Sequence, residues 1–496
     1  MNYKMIANVI GRILCIEAAF LFPACLISLY YGEMNVIFPI IASILITAGA
    51  GWLLLLPKPG KSPYYAREGF VAVALAWLMI SIFGALPFFL SGAVPNFLDC
   101  VFETISGFTT TGASILTDVE ALPKGLLYWR SFTHWLGGMG VLVFVLAIHP
   151  MSKGSGQSVY LLRAESPGPE VSKLVPKTHA SAKILYGMYI GLSVLQFILL
   201  AIGGMPWFDN ITTVFGTAGT GGFAIRGDSM GGYSSYIQIV VTIFMTLFGV
   251  NFSVYYLLVM GKIKQALRNE ELWLYLFIQA AATALISFNT RSFFPTMGKT
   301  VQQAAFQVSS IMTTTGFATT NFDLWPEFSK WIILLLMFIG ASAGSTGGGM
   351  KVSRILLMAK AARRERKRAV NPREVTIIRM DGRMVNDDTM KGIWMYLTYY
   401  LAIALGSMLV VATNQFGVEV TFSAVVSCLN NIGPGFGVCG PMGSFSSFNP
   451  VSKIVLCFDM LLGRLEIVPF LMLIAPAAWN KRRLYRKPAQ FDTPNF

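Results

Sequence analysis

Ten stretches of this chain are apolar and long enough to cross a lipid bilayer: about 9–31, 35–56, 68–91, 125–149, 183–204, 234–260, 271–290, 329–346, 392–413 and 453–478. A transmembrane helix needs about 20 mostly apolar residues. Hydrocarbon offers no water to pair a backbone N–H or C=O, so a spanning segment must satisfy those groups itself. The expected fold is therefore all-α and polytopic. Only 12% of the residues are charged against 54% apolar, about half the charge of a soluble domain. Length alone would suggest about three soluble domains. Hydropathy replaces that with one membrane domain.

The formal net charge of +14 could signal nucleic acid, an anionic surface or topology. Position decides for topology. With a cytoplasmic N-terminus, the inner loops hold Lys58, Lys61, Lys153, Arg163, Lys173, Lys177, the basic run Arg363–Arg368 and the tail at 480–496. Of the 38 Lys and Arg residues, the outer side and the membrane keep Lys124, Arg130, Arg226, Arg291, Lys299, Lys330, Lys453 and Arg464. That is the positive-inside rule, and it needs no nucleic-acid partner. Both termini are expected in the cytoplasm. The apolar run at 13–30 lacks a small-residue cleavage site, so it reads as the first span rather than a signal peptide. Cys15, Cys25, Cys100, Cys428, Cys439 and Cys457 have neither metal-ligand spacing nor a paired framework. Only Cys100 and Cys439 could both lie near the outer face.

An internal repeat narrows the architecture. FETISGFTTTGA (102–113), TTVFGTAGTGGF (212–223), FQVSSIMTTTGF (306–317) and SAVVSCLNNIGP (423–434) align without gaps, placing Gly112, Gly222, Gly316 and Gly433 in register. Each is a half-length helical stretch ending in a Thr- or Asn-rich step to glycine, and each lies between two spans. The unit is span, short re-entrant segment, span. Non-helical backbone at membrane depth is tolerated only in contact with protein or a water-filled cavity. Four such segments on the outer side imply a pore on a pseudo-four-fold axis. The expected division is 1–66 for two additional N-terminal helices, then repeats at 67–150, 151–265, 266–365 and 366–496. The last repeat includes the basic loop and the C-terminal tail.

These segments suit a dehydrated monovalent cation. Backbone carbonyls can replace its water, glycine reaches φ/ψ values closed to other residues, and threonine adds hydroxyl oxygens. The short helices would aim their negative C-terminal ends at the pore centre. The candidate ligating residues are Thr110, Thr111 and Gly112; Thr220, Gly221 and Gly222; Thr314, Thr315 and Gly316; and Asn431, Ile432 and Gly433.

The span around 329–360 is interrupted by Gly340-Ala341-Ser342-Ala343-Gly344-Ser345-Thr346-Gly347-Gly348-Gly349. Each Gly costs roughly 1 kcal/mol against Ala in a helix. The run reads either as a flexible loop across the pore below the filter or as a kink for close packing. It is not a phosphate-binding loop, because Met350 separates Gly349 from Lys351. Arg464, in Gly463-Arg464-Leu465-Glu466, lies roughly 16 Å into the last span at 1.5 Å per residue. It is either a local barrier to cations or half of a buried ion pair. Glu466 is badly placed as its partner, since i,i+2 positions diverge on a helix. Asp99 and Glu103 read as helix-start charges or as acids at the outer mouth. His134 and His149 have no metal-ligand cluster near them in sequence and read as packing or hydrogen-bonding residues. The basic run Arg363–Arg368 opens the longest polar loop, a lipid-facing anchor or a docking surface. No nucleotide motif occurs.

With these residues in view, the chain resembles the TrkH/TrkG branch of the Trk/Ktr/HKT superfamily over essentially its whole length. The resemblance rests on the four segments, the Ala341–Gly349 run, the Gly-Arg-Leu-Glu run and Asn430-Asn431-Ile432-Gly433-Pro434-Gly435. The two extra N-terminal spans favour TrkH over the KtrB branch. The resemblance implies potassium uptake across the cytoplasmic (inner) membrane through a channel-like pore, with K+ as the transported ligand and no organic cofactor. It implies a homodimer with one pore per subunit, a TrkA-type nucleotide-binding cytoplasmic partner and contact with membrane lipid. By the same resemblance Gly344, Ser345, Thr346, Gly347, Gly348, Gly349 and Arg464 form the gate. Ala113, where repeats 2 and 3 have Phe, and Asn-Ile-Gly-Pro in repeat 4 depart from the Thr-Gly-Phe pattern. One aligned glycine per repeat implies looser selectivity than the longer filter of a tetrameric potassium channel.

Three rivals compete. A proton- or sodium-coupled symporter would want titratable groups along the path, and Asp459 and Glu466 are the main candidates. A polytopic enzyme would want His, Asp, Glu or Ser clustered at one interface, which the sequence lacks. A scaffold would not need four filter-like segments.

Overall fold

A computed structural model describes residues 3–57, 66–138, 140, 178–374 and 376–479. Lys58, Lys61, Lys153, Arg163, Lys173, Lys177, His149, the end of the 125–149 span and the tail at 480–496 lie outside the described residues.

The regular elements of the described residues are helices apart from a two-residue antiparallel ladder, Arg379–Met380 with Arg383–Met384. Two long apolar helices, Tyr3–Tyr30 and Met34–Leu55, open the chain and pack side by side. Their glycines set the spacing: a Cβ built on Gly11 would lie 2.7 Å from the Gly51 carbonyl oxygen, and one on Gly51 2.9 Å from that of Gly11. Small residues of this kind let membrane helices approach closely. The outward faces carry Phe22, Leu26, Leu45 and Trp52, all exposed, as a lipid-facing surface requires. Glu33, between the two helices, accepts from the Lys124 and Gly125 amides at 2.6 and 3.1 Å. It thereby caps the helix Lys124–Gly138, whose first N–H groups have no intrahelical partner.

Six described helices are long and apolar enough to span a membrane, or seven with one bent pair. The ten continuous spans expected from hydropathy need three corrections, and each break lies where the backbone leaves helical geometry. The 234–260 span is two helices, Ser235–Phe248 and Phe252–Val259, bent by 90°, with Asn251 accepting from the Ser253 amide at 2.8 Å to start the second. The 329–346 span is a helix only over Glu327–Ile339 and stops at Gly340, φ 71°. The 453–478 span breaks after Arg464, where Glu466 and Ile467 have φ of 57° and 66°. The basic stretch expected as a loop is instead the helix Val352–Val370, with Arg363, Arg366, Lys367 and Arg368 exposed.

Glu103 and Arg130 hold the first short helix in place. Glu103 is 1% exposed and Arg130 3%, with Nε donating to Oε1 at 2.6 Å. Glu103 also accepts from the Ser114 hydroxyl and the Ile115 amide, both at 2.9 Å. Arg130 donates to the Ala224 carbonyl at 2.9 Å, and its guanidinium lies 3.6 Å from the Phe223 ring centre. Glu103 is therefore neither a helix-start charge nor a mouth acid: it is a buried ion pair joining two loops. Asp99 accepts from Lys453 at 2.7 Å.

Removing one partner of a buried pair strands the other charge, which costs about 3–5 kcal/mol. Arg130→Met should lower the thermal midpoint in detergent strongly. The double variant Glu103→Gln/Arg130→Met should lie above Arg130→Met alone. Additive losses in the two single variants and the double would show that the pair is not coupled.

Candidate ion-pathway site

Four short helices, Phe97–Phe108, Trp207–Gly219, Met297–Met312 and Val418–Leu429, end in the same backbone motif. In each, one amide reaches back five residues: Thr111 to Ser106 at 2.8 Å, Gly221 to Gly216 at 2.9 Å, Thr315 to Ser310 at 2.8 Å and Ile432 to Ser427 at 2.9 Å. The residue just before it turns left-handed and bonds three back, the pattern of a Schellman cap. That left-handed residue is Thr110, Thr220, Thr314 or Asn431, with φ of 55°, 54°, 58° and 56°. Glycine is the usual choice there, and an L-residue costs roughly 1–2 kcal/mol. Two residues later come the aligned glycines, with φ of 81°, 74°, 82° and 101°.

The four segments close on each other. A Cβ built on Gly112 would run into the carbonyl oxygen of Gly221, one on Gly222 into that of Thr315, one on Gly316 into that of Ile432, and one on Gly433 into that of Thr111. Each obstructing oxygen belongs to the residue before the next segment's aligned glycine. The circuit runs from first to second, third, fourth and back to first, bringing twelve candidate residues of the sequence into one ring. Thr109 and Thr111 share a hydroxyl hydrogen bond of 2.8 Å, as do Thr313 and Thr315. Asn431 donates to the Thr111 hydroxyl at 2.9 Å and to the Met460 carbonyl at 2.8 Å, tying the fourth segment to the first.

The Gly340–Gly349 run lies against the ends of these helices. The Gly348 amide donates to the Thr314 hydroxyl at 2.6 Å. A Cβ on Gly347 would lie 2.7 Å from the Thr313 carbonyl oxygen, and one on Gly348 would meet that of Asn430. The run's own backbone pairs with the bend at Gly249–Asn251: Ser342 donates to the Gly249 carbonyl at 3.1 Å, and Phe252 donates to the Gly344 carbonyl at 3.0 Å. Glu271, 2% exposed, accepts from the Ala343 amide at 2.7 Å and the Ser353 amide at 3.1 Å. Lys351, in a left-handed conformation, donates to the Gly347 carbonyl.

Arg464 meets both halves of the site. It donates to the Thr346 carbonyl at 2.9 Å, to the Thr110 hydroxyl at 3.2 Å, to the Gly138 carbonyl at 2.8 Å and to the Gly137 carbonyl. The last two close the helix Lys124–Gly138, a terminus that favours a cation. Glu466 pairs instead with Arg354, whose guanidinium sits 4.0 Å from the Tyr396 ring centre. The candidate ligating and gate residues from the sequence thus lie in one contiguous site. Sequence reasoning missed Glu271, the Arg354–Glu466 pair and the bend at Gly249. Glu271 sits beside Glu270 behind the cap Asn269 and reads as an ordinary first-turn acid. His134 is fully buried and stacks on Phe223. All six cysteines are free.

Three comparisons bear on this arrangement. The family model for TrkH, described as cation transport protein, matches residues 33–482. The Trk system potassium uptake protein TrkH of Salmonella typhimurium is 34% identical over 97% of this chain and 100% of its own length. TrkG of Escherichia coli, also named a Trk system potassium uptake protein, is 29% identical over 97% of the chain. The crystal structure of the potassium transporter TrkH from Vibrio parahaemolyticus superposes with a TM-score of 0.86 at 31% identity, covering 97% of this chain and all of the other.

Glu271→Ala should leave the Ala343 and Ser353 amides without their acceptor, at about 1–3 kcal/mol each. Amide hydrogen exchange over 340–353 should then speed up by at least about fivefold, with the four short helices unchanged. Parental exchange over 340–353 would mean that Glu271 does not hold the run.

Proposed function

The chain belongs to the TrkH family of cation transport proteins, and from that premise we propose that it takes up potassium through a channel-like pore. It is a membrane transport protein and not an enzyme, as the transport names of its relatives state. The selectivity filter is the ring formed by Thr110–Gly112, Thr220–Gly222, Thr314–Gly316 and Asn431–Gly433. The closed circuit of aligned glycines and neighbouring carbonyl oxygens carries the reading. Such a ring offers a cation oxygens from four segments without an acidic side chain, and the four helix C-termini add a favourable field.

The gate is the Gly340–Gly349 run with Arg464. Its contacts with Thr313, Thr314 and Asn430, at the C-terminal ends of the third and fourth short helices, support that reading. Arg464 adds a positive charge at the same level, bonded to both the run and Thr110. Opening requires the run to move and Arg464 to give up the Thr346 carbonyl. Coupling to protons or sodium is the second reading. Glu466 is committed to Arg354. Asp459 is 1% exposed, with one oxygen on Ser407 at 2.7 Å and the other without a hydrogen-bond partner among the described residues.

The relatives' names place them in a Trk system. For this chain we propose a second copy as dimer partner and a cytoplasmic nucleotide-binding subunit of TrkA type. The exposed basic face of Val352–Val370 suits a cytoplasmic contact. The proposed location is the inner membrane, with both termini in the cytoplasm.

Flux of potassium, rubidium, sodium and lithium from liposomes holding the chain, alone and with a TrkA-type partner, tests the function. Potassium and rubidium should lead, and equal flux of all four would remove the filter reading. Gly316→Leu, which drives a side chain into the Ile432 carbonyl, should abolish rescue of a potassium-uptake-deficient strain; normal rescue would sink the site. Shortening Ala341–Gly349 should raise flux severalfold, whereas unchanged flux would leave the run as a packing element.

A further inference from the structure

The four segments differ at the two positions that flank the left-handed residue. In the first and third segments both are threonine, and their hydroxyls bond at 2.8 Å. In the fourth they are Asn430 and Ile432, both buried, with Asn430 bonded to the Tyr400 hydroxyl at 2.8 Å. In the second they are Gly219 and Gly221, which bring no side chain. Gly221 is not among the residues with positive φ, so its backbone does not require glycine. A neighbouring side chain does. A Cβ built on Gly221 would fall on Nδ1, Cγ and Cδ2 of His134, and one on Gly219 would meet the backbone carbonyl of His134. The imidazole stacks on the Phe223 ring, centroids 4.1 Å apart and planes at 21°. Its Nδ1 accepts from the Phe223 amide at 3.4 Å. The ring therefore touches the chain on both sides of Gly222.

We infer that His134 is a positioning residue for the second segment, supplying from the adjacent helix the brace that threonine supplies within the first and third. The inference rests on the reading of the four segments as the filter. The brace works through Nδ1 as an acceptor, which puts the ring proton on Nε2.

The test is the rubidium-to-sodium flux ratio in liposomes holding the full chain. His134→Ala should lower that ratio by at least about fivefold, the scale of one lost buried hydrogen bond. Adding Gly221→Thr to His134→Ala refills the vacated space and should return the ratio to within about twofold of the parent. Gly221→Thr alone, with the ring still present, should lose flux of both ions. A parental ratio in His134→Ala, or a double variant no better than His134→Ala, overturns the inference. Should His134→Ala fail to fold, His134→Asn and His134→Gln replace it. Asn places an oxygen where Nδ1 lies and should hold the ratio; Gln places one where Nε2 lies and should not. Equal ratios in Asn and Gln overturn the inference. Gly316→Ala is the control for the underlying reading. If it too keeps the parental ratio, the filter assignment fails and this inference with it. If it shifts the ratio while every His134 variant is parental, only the role of His134 falls.

Discussion

Backbone groups at membrane depth have no water to turn to, and the rest of this structure depends on how that shortage is met. An unpaired N–H or C=O in hydrocarbon costs several kcal/mol. The chain nonetheless breaks helices at Gly249–Asn251 and over Gly340–Lys351, and it ends four short helices in irregular backbone that meets in one ring. The breaks satisfy one another. Ser342 donates to the Gly249 carbonyl, Phe252 to that of Gly344, and Gly348 to the Thr314 hydroxyl. Glu271 takes two amides of the run at once. Irregular backbone is possible here because it is concentrated in one place, where each break supplies what another lacks.

Charge is handled in a related way. The cations at the centre are Lys351, Arg354 and Arg464. Arg354 is matched by the Glu466 carboxylate, and Lys351 donates to the Gly347 carbonyl. Four hydrogen bonds from Arg464 go to neutral oxygens, two of them the last carbonyls of the helix Lys124–Gly138. A carbonyl terminus stabilises a guanidinium, so the end of that helix helps to hold Arg464 beside the ring.

Much of this was legible in the sequence, because hydropathy and glycine alignment are local signals. The helices Tyr3–Tyr30, Met34–Leu55, Glu270–Asn289 and Asp387–Val411 follow the apolar runs closely. The four segments were visible because Gly112, Gly222, Gly316 and Gly433 fall in register. What stayed hidden depends on partners far away in the chain. Glu103 looked like a helix-start acid and is instead joined to Arg130. Helix geometry sets Glu466 apart from Arg464, but nothing local points to Arg354 as its partner. The 90° bend at Gly249–Asn251 is paired with backbone of Ser342 and Gly344, about ninety residues further along the chain. The left-handed threonines ran against intrinsic preference, since a β-branched residue is among the poorest choices for positive φ.

Those threonines concentrate backbone strain in the ring. Placing glycine at 110, 220 and 314 would relieve about 1–2 kcal/mol of strain at each. It would also remove the Thr110 hydroxyl that receives Arg464 and the Thr314 hydroxyl that receives the Gly348 amide. At Thr110 and Thr314 the strained residue is therefore also a point where the ring is joined to Arg464 and to the Gly340–Gly349 run. Strain in the ring and contact with its neighbours are in this way two consequences of one backbone conformation at Thr110 and Thr314.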